Sequence, residues 1–293
     1  MSDNCIQYAS VIRKARTEKI YRKFSPSNCT VNKNELHGDS GLLLGYVLKS
    51  LNNVGICIID NFLTTELAKE VQHEAEELYA IPEKFRNAEE IVETKYRSDK
   101  VCWVVSSDDS NKKINSLRRA FDELIESVAK LINQTNNVRI SHRSQTQISC
   151  FPPHSFGYKV HTDNPNNNGR LLTVCYYSNE CYNNLTHGGF SRFYVPAKAN
   201  FVDIEPIFNR AIIYWSDKRI LKQVLPCRRE VFSFTTWYFG AIHDTNSVKR
   251  SESSNDCIVK KRQLNVQERT RQEYKKHPKV SRGNVSVFSQ ART

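Results

Sequence analysis

The spacing of hydrophobic and polar positions changes near the middle of the chain. Before residue 139, apolar side chains recur at three- and four-residue steps, as on the buried face of an α-helix. From Arg139 onward, short runs of β-branched and aromatic residues are separated by turn formers, which is typical of strands. Helices followed by strands indicate an α+β protein whose strands form an antiparallel sandwich or barrel.

The first half contains three predicted helices and one predicted strand. An amphipathic helix is predicted over 41–51, a buried strand over 54–60, and a second helix with Thr64 or Thr65 as its N-cap. The apolar face of the second helix is Leu67, Val71, Ala75 and Leu78. The third helix is the most regular, and its buried face is predicted to be Ile114, Leu117, Phe121, Leu124, Ile125, Val128, Leu131 and Ile132.

The second half contains five predicted strands. They are Thr146 to Phe151, Leu171 to Tyr177, Phe190 to Tyr194, Ala211 to Trp215 and Val231 to Tyr238.

Three segments of the chain lack a core-facing pattern. Residues 1–40 and 247–293 are basic and rich in polar residues, and we expect a disordered leader and a disordered tail around a domain at 41–246. Residues 84–100 are highly charged, and they are interpreted either as a mobile loop over a protein substrate or as an ordinary solvated loop.

Charge and cysteine content narrow the functional class. Most of the net charge of +12 lies at the two ends, since residues 247–293 carry 12 basic and 4 acidic side chains. The nearly neutral domain argues against nucleic-acid binding by the folded part. Nine cysteines without a Cys-x-x-Cys pair indicate neither a disulfide framework nor a zinc ribbon, and they favour a reducing compartment.

The sequence also gives an expectation for the location of the protein. The sequence lacks a signal-peptide pattern and an apolar run of about 18 residues, so neither secretion nor a membrane span is predicted. We expect the cytoplasm, the nucleus or both. Lys249-Arg250 and Lys260-Lys261-Arg262 approximate a bipartite nuclear-import signal.

His161 and Asp163 are the first candidates for chemistry. Residues two apart in an extended chain point to the same side, so an imidazole and a carboxylate would lie next to each other. This pair is two thirds of the facial triad that holds non-haem iron. The Asn-Pro-Asn-Asn-Asn-Gly that follows predicts a tight turn before the next buried strand.

The phrases around this pair recur in a known family. In order along the chain they are His161-x-Asp163-Asn-Pro-x-x-x-Gly-Arg170, Cys175-Tyr-Tyr177, Gly188-Gly189, Asp203-Ile-Glu-Pro206, Trp215-Ser-Asp-Lys-Arg219 and Trp237-Tyr-Phe239. From about Leu43 to Phe239 the chain resembles the hypoxia-inducible-factor prolyl hydroxylases of egl-nine type. The resemblance implies a double-stranded β-helix, or jelly roll, with supporting N-terminal helices. It also implies iron(II), 2-oxoglutarate and ascorbate as cofactors of a peptidyl-proline 4-dioxygenase.

The resemblance assigns roles to matched positions. His161 and Asp163 match metal ligands, Tyr177 matches a tyrosine that holds the 2-oxoglutarate carboxylate, and Arg170 matches an arginine near the substrate mouth. Three positions depart from the family. Lys222 stands where the family has its third metal ligand, a histidine; Val231 replaces the arginine that binds 2-oxoglutarate; and Phe151 replaces a tyrosine.

These departures leave alternatives open. An ammonium has no lone pair for a metal, and a cosubstrate carboxylate without a guanidinium partner is costly to bury. Arg229, which is two residues before Val231, could substitute for the missing arginine, and His187 or His154 could supply a ligand. The simpler interpretation is an ion pair between Lys222 and Asp163 at the metal position.

Two functions follow from the resemblance. The first is a catalytically impaired or inactive copy that binds a proline-containing protein segment or an active relative. The alternative is an active iron(II)- and 2-oxoglutarate-dependent dioxygenase with a rearranged cofactor site. No motif supports a third class, a divergent enzyme with other chemistry.

Overall fold

A computed structural model describes residues 21–88, 96–105, 111–136 and 138–242, without the side chains of 133–138 and 241–242. Within these ranges lie three α-helices, α1 Ser40–Asn53, α2 Thr65–Ala80 and α3 Lys112–Asn136. The strands are β1 Arg22–Lys23, β2 Thr30–Asn32, β3 Ile56–Asp60, β4 Arg86–Asn87, β5 Lys100–Val104, β6 Val138–Arg143, β7 Thr146–Phe151, β8 Tyr158–His161, β9 Arg170–Tyr177, β10 Ser191–Val195, β11 Asn200–Ile204, β12 Arg210–Trp215, β13 Leu221–Val224 and β14 Val231–Ile242.

The strands form two sheets, and a cavity lies between them. The larger sheet has the order β2-β3-β12-β9-β14-β7-β5-β4, and β6 pairs with β14 outside this path. The smaller sheet has the order β1-β11-β10-β13-β8. Side chains from both sheets line the cavity. The arrangement is the expected jelly roll with supporting helices, which confirms the predicted fold class.

The helices cover the larger sheet. Thr64 is the N-cap of α2, and its hydroxyl accepts a hydrogen bond from the backbone N–H of Leu67. Ala68, Val71, Ala75 and Leu78 of this helix are buried. Phe121 of α3 reaches the ring of Tyr176 on β9, with 6.4 Å between ring centroids. None of the described helices is long and apolar enough to cross a membrane.

The predicted leader is wrong for residues 21–40. Strand β2 pairs in parallel with β3 of the larger sheet, and Cys29 and Val31 are buried in the same core as the helices. The short apolar runs of this segment gain their burial from pairing with a distant strand, which local periodicity does not reveal. Residues 1–20 and 243–293 lie outside the described residues, so disorder there and the import signal stay predictions.

The charged segment 84–100 is not simply a solvated loop. Asp99 is buried, and residues 100–104 form β5 beside β7 of the larger sheet. Residues 89–95 lie outside the described ranges. Of the described part of the segment, Ala88, Arg97 and Asp99 line the cavity.

Candidate functional site

The cavity has a volume of about 360 Å³ and collects most of the predicted site residues. Its wall contains His161, Asp163, Lys222, Tyr177, Phe151, Val231 and Arg170. Strands β8 and β13 contribute one side and β7, β9 and β14 the other. The structure therefore places these residues together, while their roles stay predictions.

His161 and Asp163, which the sequence analysis matched to two metal ligands, lie next to each other. His161 Nδ1 donates a hydrogen bond to the Lys159 carbonyl oxygen at 2.7 Å, so Nε2 is the nitrogen that faces Asp163. Nε2 and Asp163 Oδ1 are 3.6 Å apart. The ring of His161 also stacks on Tyr158, with 3.7 Å between ring centroids. A backbone acceptor that fixes the ring and the tautomer is a usual support of a ligating histidine.

Asp163 is held by three donors that sequence reasoning missed. Oδ2 accepts hydrogen bonds from Thr173 Oγ1 at 2.7 Å, from the Tyr214 hydroxyl at 2.8 Å and from Trp237 Nε1 at 3.1 Å. Burial alone would raise the pKa of Asp163. The hydrogen bond and charge of His161, the charge of Lys222 and the Thr173 hydroxyl outweigh it and hold the pKa well below its usual range. Asp163 is therefore an ionised carboxylate.

Lys222 occupies the third corner of this site. In the antiparallel pair of β13 with β8, it is the register partner of His161. The Lys222 ammonium lies 3.9 Å from Cys175 Sγ, 5.7 Å from the ring centroid of Phe193 and 5.6 Å from that of Tyr214.

The predicted ion pair between Lys222 and Asp163 is wrong. Among the described residues, Asp163 has its close contact with His161, and no nitrogen of Lys222 comes within 4.0 Å of it. The physical reason is that both carboxylate oxygens already have neighbours: Thr173, Tyr214 and Trp237 donate to Oδ2, and His161 Nε2 faces Oδ1. Lys222 acts on Asp163 only through its more distant charge.

The side chains here do not fit the three-ligand iron site that the resemblance implies. One imidazole nitrogen and one carboxylate face the cavity, and the third position carries an ammonium, which has three donors and no acceptor. Across the described part of the chain, no group of three or more His, Cys, Asp or Glu could hold a metal ion. The third ligand would have to come from elsewhere.

The position expected to hold 2-oxoglutarate is apolar. Phe151, Val224, Cys227 and Val231 form a small buried cluster, and Val231 is the register partner of Phe151. A Cβ on Gly189 would lie 3.0 Å from Val231 Cγ2, so the wall is tight here. The Tyr177 hydroxyl is paired with Ser191 Oγ at 2.5 Å. This end therefore has hydroxyl groups but lacks the guanidinium that would match a second carboxylate.

The predicted substitutes do not reach the cavity. Arg229 donates to the carbonyl oxygens of Glu180 and Cys181 at 3.1 and 3.2 Å, on the surface. His187 Nδ1 accepts from the Asn183 backbone N–H at 2.9 Å, and His154 is exposed. None of these three side chains lines the cavity. In this structure the proposed compensations are wrong, because each side chain is engaged or directed elsewhere.

The mouth of the cavity carries aromatic and cationic groups. The Arg170 guanidinium lies 4.4 Å from the ring centroid of Trp237 and donates to the Asp163 carbonyl oxygen at 2.9 Å. Trp103, which the sequence did not single out, lies 5.8 Å from Trp237 between ring centroids and is 41 % exposed. Both tryptophans line the cavity, and Trp237 is buried, so the apolar platform at the opening is the exposed ring of Trp103 next to Trp237.

A buried ion pair forms a further part of the wall. Arg97 Nε and Nη2 donate to the two carboxylate oxygens of Asp99 at 2.7 and 2.5 Å, and the guanidinium lies 4.6 Å from the ring centroid of Tyr158. Sequence reasoning treated this segment only as a loop. The run of charged residues at 84–100 was the available signal, but it does not show that Asp99 is buried beside Arg97.

Comparison with known proteins identifies relatives of this chain. Residues 146–239 match the 2OG-Fe(II) oxygenase superfamily. Egl nine homolog 1 of Rattus norvegicus is 32 % identical over 209 residues, which cover 68 % of this chain and 60 % of the relative. The corresponding matches cover 50 % and 47 % of the mouse and human proteins, so the chain spans about half to three fifths of the length of these curated relatives.

Solved structures show the same relationship. A prolyl hydroxylase of Trichoplax adhaerens, in complex with a peptide fragment of the hypoxia-inducible-factor oxygen degradation domain, has a TM-score of 0.64 and 32 % identity. The match covers 71 % of this chain and 93 % of that one. A prolyl-4-hydroxylase of Pseudomonas putida, with a TM-score of 0.58 and 22 % identity, shares the fold over 67 % of this chain and 98 % of that one.

Proposed function

This chain belongs to the hypoxia-inducible-factor prolyl hydroxylase type of 2OG-Fe(II) oxygenases, and we propose that it binds a proline-containing protein segment without hydroxylating it. The observation that carries the proposal is Lys222, which stands opposite His161 where the third ligand would be. The family uses iron(II) and 2-oxoglutarate, and the described cavity fits neither. The mouth of the cavity, in contrast, offers a surface for a peptide.

The loss of turnover is supported by electrostatics. Two like unit charges about 4 Å apart, in a medium of effective dielectric near 20, repel by about 4 kcal/mol. A metal cation held by His161 and Asp163 would face such repulsion from Lys222, with one ligand fewer to offset it. At the apolar end, Val231 leaves a second carboxylate of the cosubstrate without a charged partner, and burying an unpaired charge costs several kcal/mol.

The binding of a proline segment is supported by the platform of Trp103 and Trp237. Proline-rich segments dock on aromatic-lined grooves because the proline ring packs flat on an indole or phenol face. The Arg170 guanidinium next to Trp237 supplies hydrogen-bond donors for backbone carbonyls of such a segment. The solved Trichoplax adhaerens relative is in complex with a peptide fragment of the hypoxia-inducible-factor oxygen degradation domain.

A second candidate is an active dioxygenase with a rearranged cofactor site. The observation that favours it is the half-site of His161 and Asp163, which keeps its tautomer and its three supporting donors. In this case an additional ligand would have to enter the cavity from outside the described residues. For the binding function, the alternative partner to a proline-containing segment is an active relative of this chain.

The proposal includes a reducing intracellular compartment, the cytoplasm or the nucleus. Seven cysteines of the described residues have free thiols, and six of them are buried. Thiols at Cys57 and Cys150 pack as apolar side chains, and burial raises the pKa of Cys57 to about 12.

One experiment separates the two candidates. Purified protein is incubated in air with iron(II), 2-oxoglutarate, ascorbate and a fluorescent peptide of the hypoxia-inducible-factor oxygen degradation domain. Anisotropy reports binding, and mass spectrometry reports the gain of one oxygen atom. Binding with unchanged peptide mass is the expected result. A hydroxylated peptide would refute the loss of turnover, and absence of binding to this and to other proline peptides would refute the binding function.

A further inference from the structure

Lys222 is a buried cation that lacks a carboxylate contact. The residue is 9 % exposed and lines the cavity. Among the described residues its ammonium makes one hydrogen bond, to Cys175 Sγ at 3.9 Å, and it also lies over the rings of Phe193 and Tyr214. An ammonium has three N–H donors, and thiol and ring contacts are weaker partners than a carboxylate. The cavity therefore contains donors that an entering anion would use.

The charges in the cavity wall favour one negative charge. The cationic side chains are Arg97, Arg170 and Lys222, and the carboxylates are Asp99 and Asp163. Asp99 is occupied by the two-fold hydrogen bond from Arg97, and Asp163 by its three donors and His161. With the imidazole of His161 counted as neutral, the wall keeps an excess of one positive charge, which a single carboxylate would neutralise.

The region next to Lys222 is apolar. Lys222 and Val224 are two residues apart on β13, the pairing of β13 with β8 is irregular between them, and both line the cavity. Val224 packs with Phe151, Cys227 and Val231. The side chains of this cluster carry no charge, so a second carboxylate would be buried there without a partner. An aliphatic group, in contrast, would be removed from water.

We infer that the cavity binds a small monocarboxylate with an apolar tail, and that it does so without metal. The carboxylate pairs with the Lys222 ammonium, and the tail packs against Val224, Val231 and Phe151. The cavity of about 360 Å³ is large enough for a short branched acid. The inference rests on the proposed loss of the iron and 2-oxoglutarate site but not on the Trp103 and Trp237 platform, so acid binding and peptide binding are tested separately.

Three probe molecules test the class of ligand. Full-length protein in EDTA is titrated by calorimetry with isocaproate, with its neutral amide and with the dicarboxylate glutarate. Isocaproate is expected to bind at least ten-fold more tightly than either of the others, because only isocaproate combines one negative charge with an apolar tail. Equal binding of the amide, tighter binding of glutarate, or a requirement for iron(II) would overturn the inference.

Variants test the role of Lys222. Lys222→Met keeps the length and volume of the side chain among Phe193 and Tyr214, and it is expected to lower isocaproate affinity at least ten-fold, whereas Lys222→Arg retains binding. Lys218→Met is the control, because Lys218 is exposed in the turn before β13. This variant should bind isocaproate as the wild type does. Unchanged affinity in Lys222→Met, or an equal loss in Lys218→Met, would refute the pairing.

A further variant tests the apolar end without changing Lys222. Val231→Arg adds a cation to the cluster and is expected to reverse the preference, so that glutarate binds more tightly than isocaproate. If Val231→Arg leaves the order of the two acids unchanged, the tail does not lie against Val231. This readout stays informative if Lys222→Met fails to fold.

Discussion

Lys222 on β13 lies directly opposite His161 on β8, as the register partner in the antiparallel pair. The jelly roll therefore brings a fixed cation to the third corner of a site whose other two corners keep their supporting hydrogen bonds. Because the strand pairing itself places position 222 opposite His161, the difference from a three-ligand site is one of side-chain chemistry. A substitution at position 222 can therefore reverse this difference.

The double variant Lys222→His, Val231→Arg is expected to restore cofactor binding. Histidine supplies a lone pair at the third corner, and arginine supplies a fork for a carboxylate at the apolar end. We expect anaerobic addition of iron(II) and 2-oxoglutarate to produce a visible metal-to-ligand charge-transfer band in the double variant and none in the wild type. A band of equal strength in the wild type would contradict the loss of the site, and each single variant serves as a control.

The sequence predicted this site more completely than it predicted the strands that carry it. β7, β9, β12 and β14 are recognisable because their apolar runs are buried on both faces. β8 reads Tyr-Lys-Val-His and β13 reads Leu-Lys-Gln-Val, and such short polar runs become strands only through pairing with distant partners. The position of Lys222 could be assigned because flanking phrases resemble those of a family.

The environment of each candidate was less predictable than its position. The ion pair of Lys222 with Asp163 was wrong because Thr173, Tyr214 and Trp237, up to 74 residues away, occupy the carboxylate. Trp103 was missed for the same reason, since its neighbour Trp237 is on another strand. Contacts between residues distant in sequence determine which polar groups are already satisfied, and periodicity does not encode them.

Breaking the buried pair of Arg97 and Asp99 is expected to destabilise the domain strongly. The Asp99 side chain is 0 % exposed, so Arg97→Met would leave an uncompensated buried charge. We expect a loss of about 3 kcal/mol in the free energy of unfolding. The double variant Arg97→Met, Asp99→Leu should regain most of it, since it removes both charges. Urea denaturation of the three proteins checks this, and equal loss in the single and double variants would contradict it.

Asp203 is expected to make stability depend on pH. Burial raises the pKa of Asp203, but the hydrogen bonds and charges of Arg192 and Lys23 outweigh it, so the pKa in the folded protein lies below the ordinary 3.8. A carboxylate with a depressed pKa contributes stability above its unfolded value, and the contribution is lost as the pH falls through the folded pKa. Arg192 Nε and Nη2 donate to Asp203 at 2.6 and 2.9 Å.

The Asp203→Asn variant tests this dependence. At pH 7 we expect the variant to lose about 1 kcal/mol in the free energy of unfolding, a small value because the ion pair is partly exposed. The difference in this free energy between variant and wild type should shrink as the pH is lowered through and below 3.8. For Arg192→Gln, the difference in the free energy of unfolding from the wild type should shrink in the same way, since this variant removes the donor that pairs with Asp203. A difference in the free energy of unfolding that stays constant over this range would contradict the ion-pair origin.

Trp103 is expected to contribute to peptide binding but not to binding of small acids. Its ring is 41 % exposed and packs near Trp237 at the mouth, so it presents an apolar face to a docked proline segment. We expect Trp103→Ala to weaken the peptide about ten-fold, or about 1.4 kcal/mol. Phe156→Ala removes another exposed aromatic side chain, one that does not line the cavity, and is the matched control. Anisotropy titrations with both variants decide the matter: an equal effect of the two substitutions would mean that the platform is not the docking surface.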